Sequence, residues 1–441
     1  MDNCLNKIFG FDPSTMKVRT ELQAGITTFL TMAYILAVNP AIFSSLNDPD
    51  MTSGAVFTAT VLATIIGTFV MAILAKKPYG LAPGMGLNAF FVYTVCLEMG
   101  YTWQMALTAV FIEGIIFIIL SATSVREKII YAIPMSLKYA IGAGIGIYLA
   151  LIGLQNAGIV TANPSTIITL NHLITPTALL FFLGLLITGV LIALRIKGAL
   201  LIGLIATTLC GIPFGIVHLD SITSKPASIE NIAFKLQWNN ILSWDMLIVV
   251  ITMLFLDIFD TIGTVIGVSI HSGAMDKDGK IKGVGRVLMA DAIATIAGAC
   301  LGTSTTTTYL ESLSGVQAGG RSGLTAFFIA VAFTIAIFFS PLFLAIPSQA
   351  TGAILVIVGA MMMSPIAKIE WQDMSEAIPA FFTIIMISFS YNISEGIMLG
   401  FVVYVVTNGI CGIFRKENLR KISPLMWVLA AIFIIRYIIR G

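Results

Sequence analysis

Three carboxylates and one amide, Asp257, Asp260, Glu311 and Asn88, lie in stretches that are otherwise apolar or built of small residues. The first two sit in Met253-Leu-Phe-Leu-Asp257-Ile-Phe-Asp260-Thr261-Ile-Gly-Thr264, at i and i+3, and so share one face of a helix. An acid at the centre of a bilayer costs about 2.5–3.5 kcal/mol on insertion scales, which makes each a functional candidate by default. Two carboxylates that close cannot both ionise cheaply in a poorly solvated site, so one is expected to hold and release a proton during a working cycle. Thr261 and Thr264 follow the acids by one turn and are expected to bond them or the helix backbone.

Asn88 and Glu311 each close a stretch that resists helix formation. Lys77-Pro-Tyr-Gly-Leu-Ala-Pro-Gly-Met-Gly-Leu-Asn88 carries Gly80, Pro83, Gly84 and Gly86 where an apolar span begins, so its helix must start late, after an extended stretch. Gly302-Thr-Ser-Thr-Thr-Thr-Thr-Tyr-Leu-Glu311 opens another span with β-branched residues that favour strand. Thr308-Tyr-Leu-Glu311 fits a capping box, which predicts a half-helix starting at Thr308.

The elements that must position these residues are membrane helices. Of 441 residues 58% are apolar and 10% charged, against about 25% charged in an ordinary soluble domain; the mean hydropathy is +0.98. Apolar runs fall at 21–42, 54–75, 84–99, 103–122, 136–155, 176–194, 198–217, 246–270, 286–301, 306–319, 323–340, 343–363, 376–393 and 395–413. Read as fourteen transmembrane spans with the N-terminus inside, they put every basic cluster, from Lys17/Arg19 to Arg415–Lys421, on the cytoplasmic side.

The polar stretch 218–245 then lies outside and divides the chain into residues 1–217 (spans 1–7) and 246–414 (spans 8–14). An odd number of crossings inverts the second half, which gives a seven-plus-seven inverted repeat, and the two broken spans are the third of each half. Paired broken spans point to a binding site near the midplane. Residues 415–441 form a basic cytoplasmic segment followed by an apolar run, expected to lie at the interface because spanning would put Arg436 and Arg440 outside. The expected fold class is therefore all-α and polytopic, with short extended segments in broken spans 3 and 10.

Several function classes are excluded. The net charge of +2 with basic residues dispersed among loops does not suit nucleic acid. Five scattered cysteines and three histidines, His172, His218 and His271, offer neither metal-ligand spacing nor a nucleophile–base pair, so no metal, no cofactor and no enzyme activity are expected. Asp276-Lys-Asp-Gly-Lys280 lacks the ligand spacing of a calcium loop. Glu98, Glu113, Asp291 and Glu395 are read as acids that bond between helices or at their ends. Acids at the site argue against an anion transporter, the first alternative, and protonatable pairs beside broken helices argue against a channel.

Gly86-Leu-Asn88-Ala-Phe-Phe91, Leu256-Asp257-Ile-Phe-Asp260-Thr261-Ile-Gly-Thr264, Gly302 to Ser312 and the opening Ala24-Gly-Ile-Thr-Thr-Phe-Leu-Thr-Met-Ala-Tyr34 to Pro40 resemble the AzgA-like branch of the nucleobase–cation symporters. The likeness runs over nearly the whole chain. It implies a core domain of spans 1–4 and 8–11 moving against a gate domain of spans 5–7 and 12–14. It also implies import of adenine, guanine or hypoxanthine coupled to H⁺, with hypoxanthine and guanine favoured. Carried over, Asn88, Asp257 and Glu311 contact the purine and Asp260 carries the proton.

The chemistry of the residues agrees with that carry-over. A purine is a flat ring rimmed with donors and acceptors, which carboxylates, an amide and aromatic faces can match. Phe90, Phe91, Phe259 and Tyr309 are candidates for the stacking face, Thr308 for the wall, and Thr31 and Tyr34 of span one for its lining. The implied setting is the inner membrane, with both termini cytoplasmic, lipid and purine as the partners, and a homo-oligomer left open.

Overall fold

Apolar runs in lipid cannot leave backbone N–H and C=O groups unpaired, and a helix pairs them locally. In the computed structural model, which describes residues 2–122, 133–217, 221–239, 241, 243–272, 283–414 and 422–440, the chain is accordingly mostly helical. The helices in order are α1 (Asp2–Phe9), α2 (Val18–Met32), α3 (Ile35–Phe43), α4 (Ser53–Val70), α5 (Met85–Ala89), α6 (Trp103–Ala122), α7 (Met135–Asn156), α8 (Pro176–Ala193) and α9 (Ala199–Gly211). They continue with α10 (Trp244–Ser272), α11 (Val284–Leu301), α12 (Ser312–Gln317), α13 (Gly323–Ala336), α14 (Ser340–Leu344), α15 (Ser348–Met362), α16 (Met374–Phe389), α17 (Ile393–Phe414) and α18 (Pro424–Arg440). Nine stretches among the described residues are long and apolar enough to cross a membrane, which makes this a multi-pass membrane protein.

The expected breaks are present. Leu81–Pro83 (β1) and Thr306–Thr308 (β4) pair antiparallel, Leu81 opposite Thr308 and Pro83 opposite Thr306. Gly84 N donates to Thr305 O (3.0 Å) and Tyr309 N to Gly80 O (2.9 Å), extending the ribbon at both ends. On the outer side of β1, Leu81 exchanges N–H and C=O bonds with the Thr68 hydroxyl at 3.0 and 3.1 Å. Both strands are fully buried, so unwound backbone is tolerated here because protein pairs it. Beyond β1, α5 continues as a π-helical segment, Phe90–Glu98.

Two details differ from the sequence reading. The half-helix after β4 starts at Ser312, not at Thr308, and its N-cap Glu311 makes no side-chain capping bond. Thr308 is held in the strand by Leu81, and its hydroxyl goes to Asp291, so the capping box does not form. A second ribbon, Val160–Asn163 (β2) with Ile167–Leu170 (β3), follows α7 and adds strand outside the broken spans. Its signal was legible: β-branched residues flank Asn163-Pro-Ser-Thr166, a turn sequence.

One group of helices contains α2, α4, α6, α11, α12 and α13; another contains α7, α15, α16 and α17. In the second group α7 and α15 meet backbone to backbone. A Cβ on Gly146 would lie 2.5 Å from the Gly359 carbonyl oxygen, and one on Gly153 2.6 Å from that of Gly352. Small residues at such a seam let helices approach closely where no hydrophobic drive exists between them. Gly153→Val is expected to cost about 1–3 kcal/mol by overpacking. Thermal unfolding in detergent should show a lowered Tm, with Gly142→Ala, where a Cβ meets open space, as the unaffected control.

The terminal helix α18 runs antiparallel along α17. Trp427 sits at Gly409, Phe433 stacks edge-on against Phe401 with centroids 6.1 Å apart, and the Tyr437 hydroxyl bonds Glu395 at the opposite end of α17.

Candidate functional site

The crossed strands and the half-helices they open form a small scaffold, and α10 and α2–α3 press polar side chains against it. Nearly every hydroxyl of the threonine run has a partner from a different helix. Thr303 accepts from Asn39 Nδ2 (3.1 Å); Ser304 donates to Asn88 Oδ1; Thr305 donates to Glu113 Oε2 (2.8 Å). Thr307 and Thr261 hydroxyls lie 2.7 Å apart, and Thr308 donates to Asp291 Oδ1 (3.0 Å). Strand geometry explains why β-branched hydroxyl residues are used: side chains alternate to opposite faces, and each face here meets an acid or an amide.

The acids fall into two sets. Asp257, Asp291 and Glu113 are fully buried. Thr261 ties two of them together, donating to Asp291 Oδ2 at 2.7 Å and to Asp257 Oδ1 at 3.3 Å, as its spacing after Asp257 suggested. Asp260 and Glu311 differ: Asp260 is exposed although it lies near the middle of α10, and Glu311 is half-buried. Asp260 is within electrostatic reach of both Glu311 and Asp291. Its carboxylate also faces Gly84, where a Cβ would lie 3.6 Å from Asp260 Oδ2 and 2.9 Å from Thr307 Cγ2. Glycine at 84 therefore lets the first broken span approach the second and the acid together.

Glu311 is held from α2 and the α2–α3 turn. The Tyr34 hydroxyl donates to Glu311 Oε1 at 2.6 Å. One turn earlier the Thr31 hydroxyl contacts Ser314 Oγ (2.9 Å) and Glu311 O (3.4 Å). Tyr309 is 6% exposed, and its hydroxyl donates to Pro83 O at 2.5 Å, bracing one broken span against the other. Asn88 is fully buried, its amide nitrogen 3.5 Å from Pro83 O.

Asp257, Asp260, Glu311, Asn88, Thr308, Tyr309, Thr261 and Thr31 thus converge on one region. Thr264 is buried on the same helix. Phe90 and Phe91 are fully buried, and Phe91 stacks on Phe43 with centroids 5.2 Å apart, the arrangement of packing residues. The Phe259 and His271 side chains and residue His218 lie outside the described part, and His172 is on an exposed loop. Glu98 accepts from Asn392 (3.0 Å) and Glu395 from Tyr437, bonds between separate segments as read from the sequence.

The sequence reading did not foresee that Glu113 and Asp291 border the threonine strand. The signal was present, since each is an acid inside an apolar helix. What was missing was the partner, which only the fold supplies.

The arrangement offers two accessible carboxylates between short helices, backed by a network of hydroxyls bonded to acids and amides, and suits a neutral ligand rich in N–H donors. The family model described as "Permease family", that of the xanthine/uracil permeases, matches residues 19–399. The guanine/hypoxanthine permease PbuG of Bacillus subtilis is 44% identical over 98% of this chain and 99% of its own. The adenine permease AdeQ of Escherichia coli is 38% identical over 99% of this chain and 96% of its own. Among solved structures, the transmembrane domain of the cyanobacterial bicarbonate transporter BicA superposes with a TM-score of 0.66 at 17% identity, covering 85% of this chain and 96% of that one.

Proposed function

The chain belongs to the xanthine/uracil permease family, a transporter rather than an enzyme, and from that premise we propose that it imports purine nucleobases in symport with H⁺. The observation that carries the reading is the pair Asp260 and Glu311, accessible carboxylates within reach of each other beside the two broken spans. Glu311 is the acceptor for purine N–H groups, with Asn88 and Asp257 beside it, and Asp260 takes the proton. Relatives named for guanine, hypoxanthine and adenine support a purine substrate; hypoxanthine and guanine are the substrates favoured here.

In this reading the fourteen apolar segments all cross the membrane as a seven-plus-seven inverted repeat. Spans 1–4 and 8–11 form a core that rocks against a gate of spans 5–7 and 12–14. An outward-open site loads purine and proton, turns inward and releases both. The anion-transport alternative shares the fold of BicA, but two accessible acids would repel an anion. Uptake of labelled hypoxanthine, guanine and adenine by cells lacking their own purine permeases tests the reading. Saturable uptake abolished by a protonophore is expected; no purine uptake with the protein present in the membrane would overturn it.

The inner membrane is the expected setting, with the N-terminus inside. The lengthwise contacts of α18 with α17 disfavour the interfacial position expected from the sequence. Its 17 residues reach about 25 Å, and we read it as a further crossing that carries the C-terminus outside. A cysteine at Gly441 should then react with an impermeant maleimide in intact cells above the background of the parent protein. Reaction only after permeabilisation would return α18 to the cytoplasmic interface.

A further inference from the structure

Helix α2 and the turn that follows it present a stripe, Ala24, Thr28, Thr31 and Tyr34, to the half-helix that begins at Ser312. A Cβ on Gly315 would lie 2.8 Å from Ala24 O, and Gly315 also abuts the Thr28 side chain. Thr31 contacts Ser314 and the Glu311 carbonyl. Tyr34 completes the stripe by donating to the Glu311 side chain itself, and its ring is fully buried. The backbone of the half-helix is thus fixed by small residues and Thr31, while Tyr34 acts on the carboxylate alone. Glu311's own backbone N–H also faces that carboxylate.

We propose that Tyr34 is a specificity-determining residue: by taking Glu311 Oε1 it makes the carboxylate a better acceptor for one purine N–H than for two adjacent ones. A carboxylate has about four lone-pair sites, and a short charge-assisted bond to one oxygen draws charge from it. Guanine presents N1–H and the 2-amino group side by side, a pair that suits both oxygens of an unengaged carboxylate. Hypoxanthine presents N1–H alone. Tyr34 therefore favours hypoxanthine over guanine relative to the same site without the hydroxyl. This rests on the purine reading above and adds the residue that ranks the substrates.

The test is uptake of labelled guanine and hypoxanthine by wild type and Tyr34→Phe, at matched protein in the membrane. Phenylalanine keeps the buried ring and removes only the donor. The ratio of the guanine KM to the hypoxanthine KM should fall about tenfold, the scale of one hydrogen bond to a charged group. Both KM values unchanged, or moved by one common factor, would overturn the proposal, since a merely structural role affects both alike. A wild type that carries neither purine defeats the purine reading first, and this inference with it, before any substitution is compared.

Discussion

Glu311→Gln is expected to raise the KM for purine uptake roughly tenfold to a hundredfold while leaving the protein in the membrane. A hydrogen bond to a charged acceptor contributes about 1.5–3 kcal/mol, and each 1.4 kcal/mol is about tenfold in affinity. Glutamine keeps an oxygen that Tyr34 can donate to, so the 2.6 Å bond that ties the α2–α3 turn to the half-helix has a replacement. The other carboxylate oxygen becomes an NH₂ group, which meets the purine N–H donor to donor. Affinity should therefore fall without loss of fold, a combination read from uptake kinetics together with the amount of protein in the membrane. An unchanged KM would remove Glu311 from the site.

Asp260→Asn is expected to separate binding from accumulation. Asparagine preserves the shape that fits against Gly84 and Thr307 but cannot carry a proton. One proton moving down one pH unit supplies about 1.4 kcal/mol, enough for roughly tenfold accumulation, and the membrane potential adds about 2.3 kcal/mol per charge per 100 mV. Without the carrier the internal purine should only equilibrate with the outside, whereas exchange of purine for purine persists. Counterflow measured beside net uptake distinguishes these, and full uphill accumulation by D260N would sink the assignment. Asp260 is chosen over Asp257 and Asp291 because it alone of the three is exposed.

Much of this arrangement was legible in the sequence. The i, i+3 acids of α10 marked the stretch that packs against the threonine strand, and Gly80, Pro83, Gly84 and Gly86 announced a helix that starts late; both follow from local chemistry. The threonine run announced strand, and β4 forms there. The start of α12 was misread because a capping box competes with strand pairing and with Asp291, and neither partner is local to Thr308. Glu113 and Asp291 were read as bonding acids, and they are. Their place along the strand was hidden because they reach it from separate helices, Glu113 across 192 positions and Asp291 across 17. Tyr34 was read as a lining residue of span one, but its partner was hidden, because its hydrogen bond to Glu311 spans 277 positions.

The central claim is that purine and proton cross together. Purified protein in liposomes loaded with a pH-sensitive dye, with the membrane potential clamped, tests it directly. Adding hypoxanthine or guanine outside should acidify the lumen, with wild type responding and D260N silent. Purine entry into the liposomes without a change of internal pH would contradict the account.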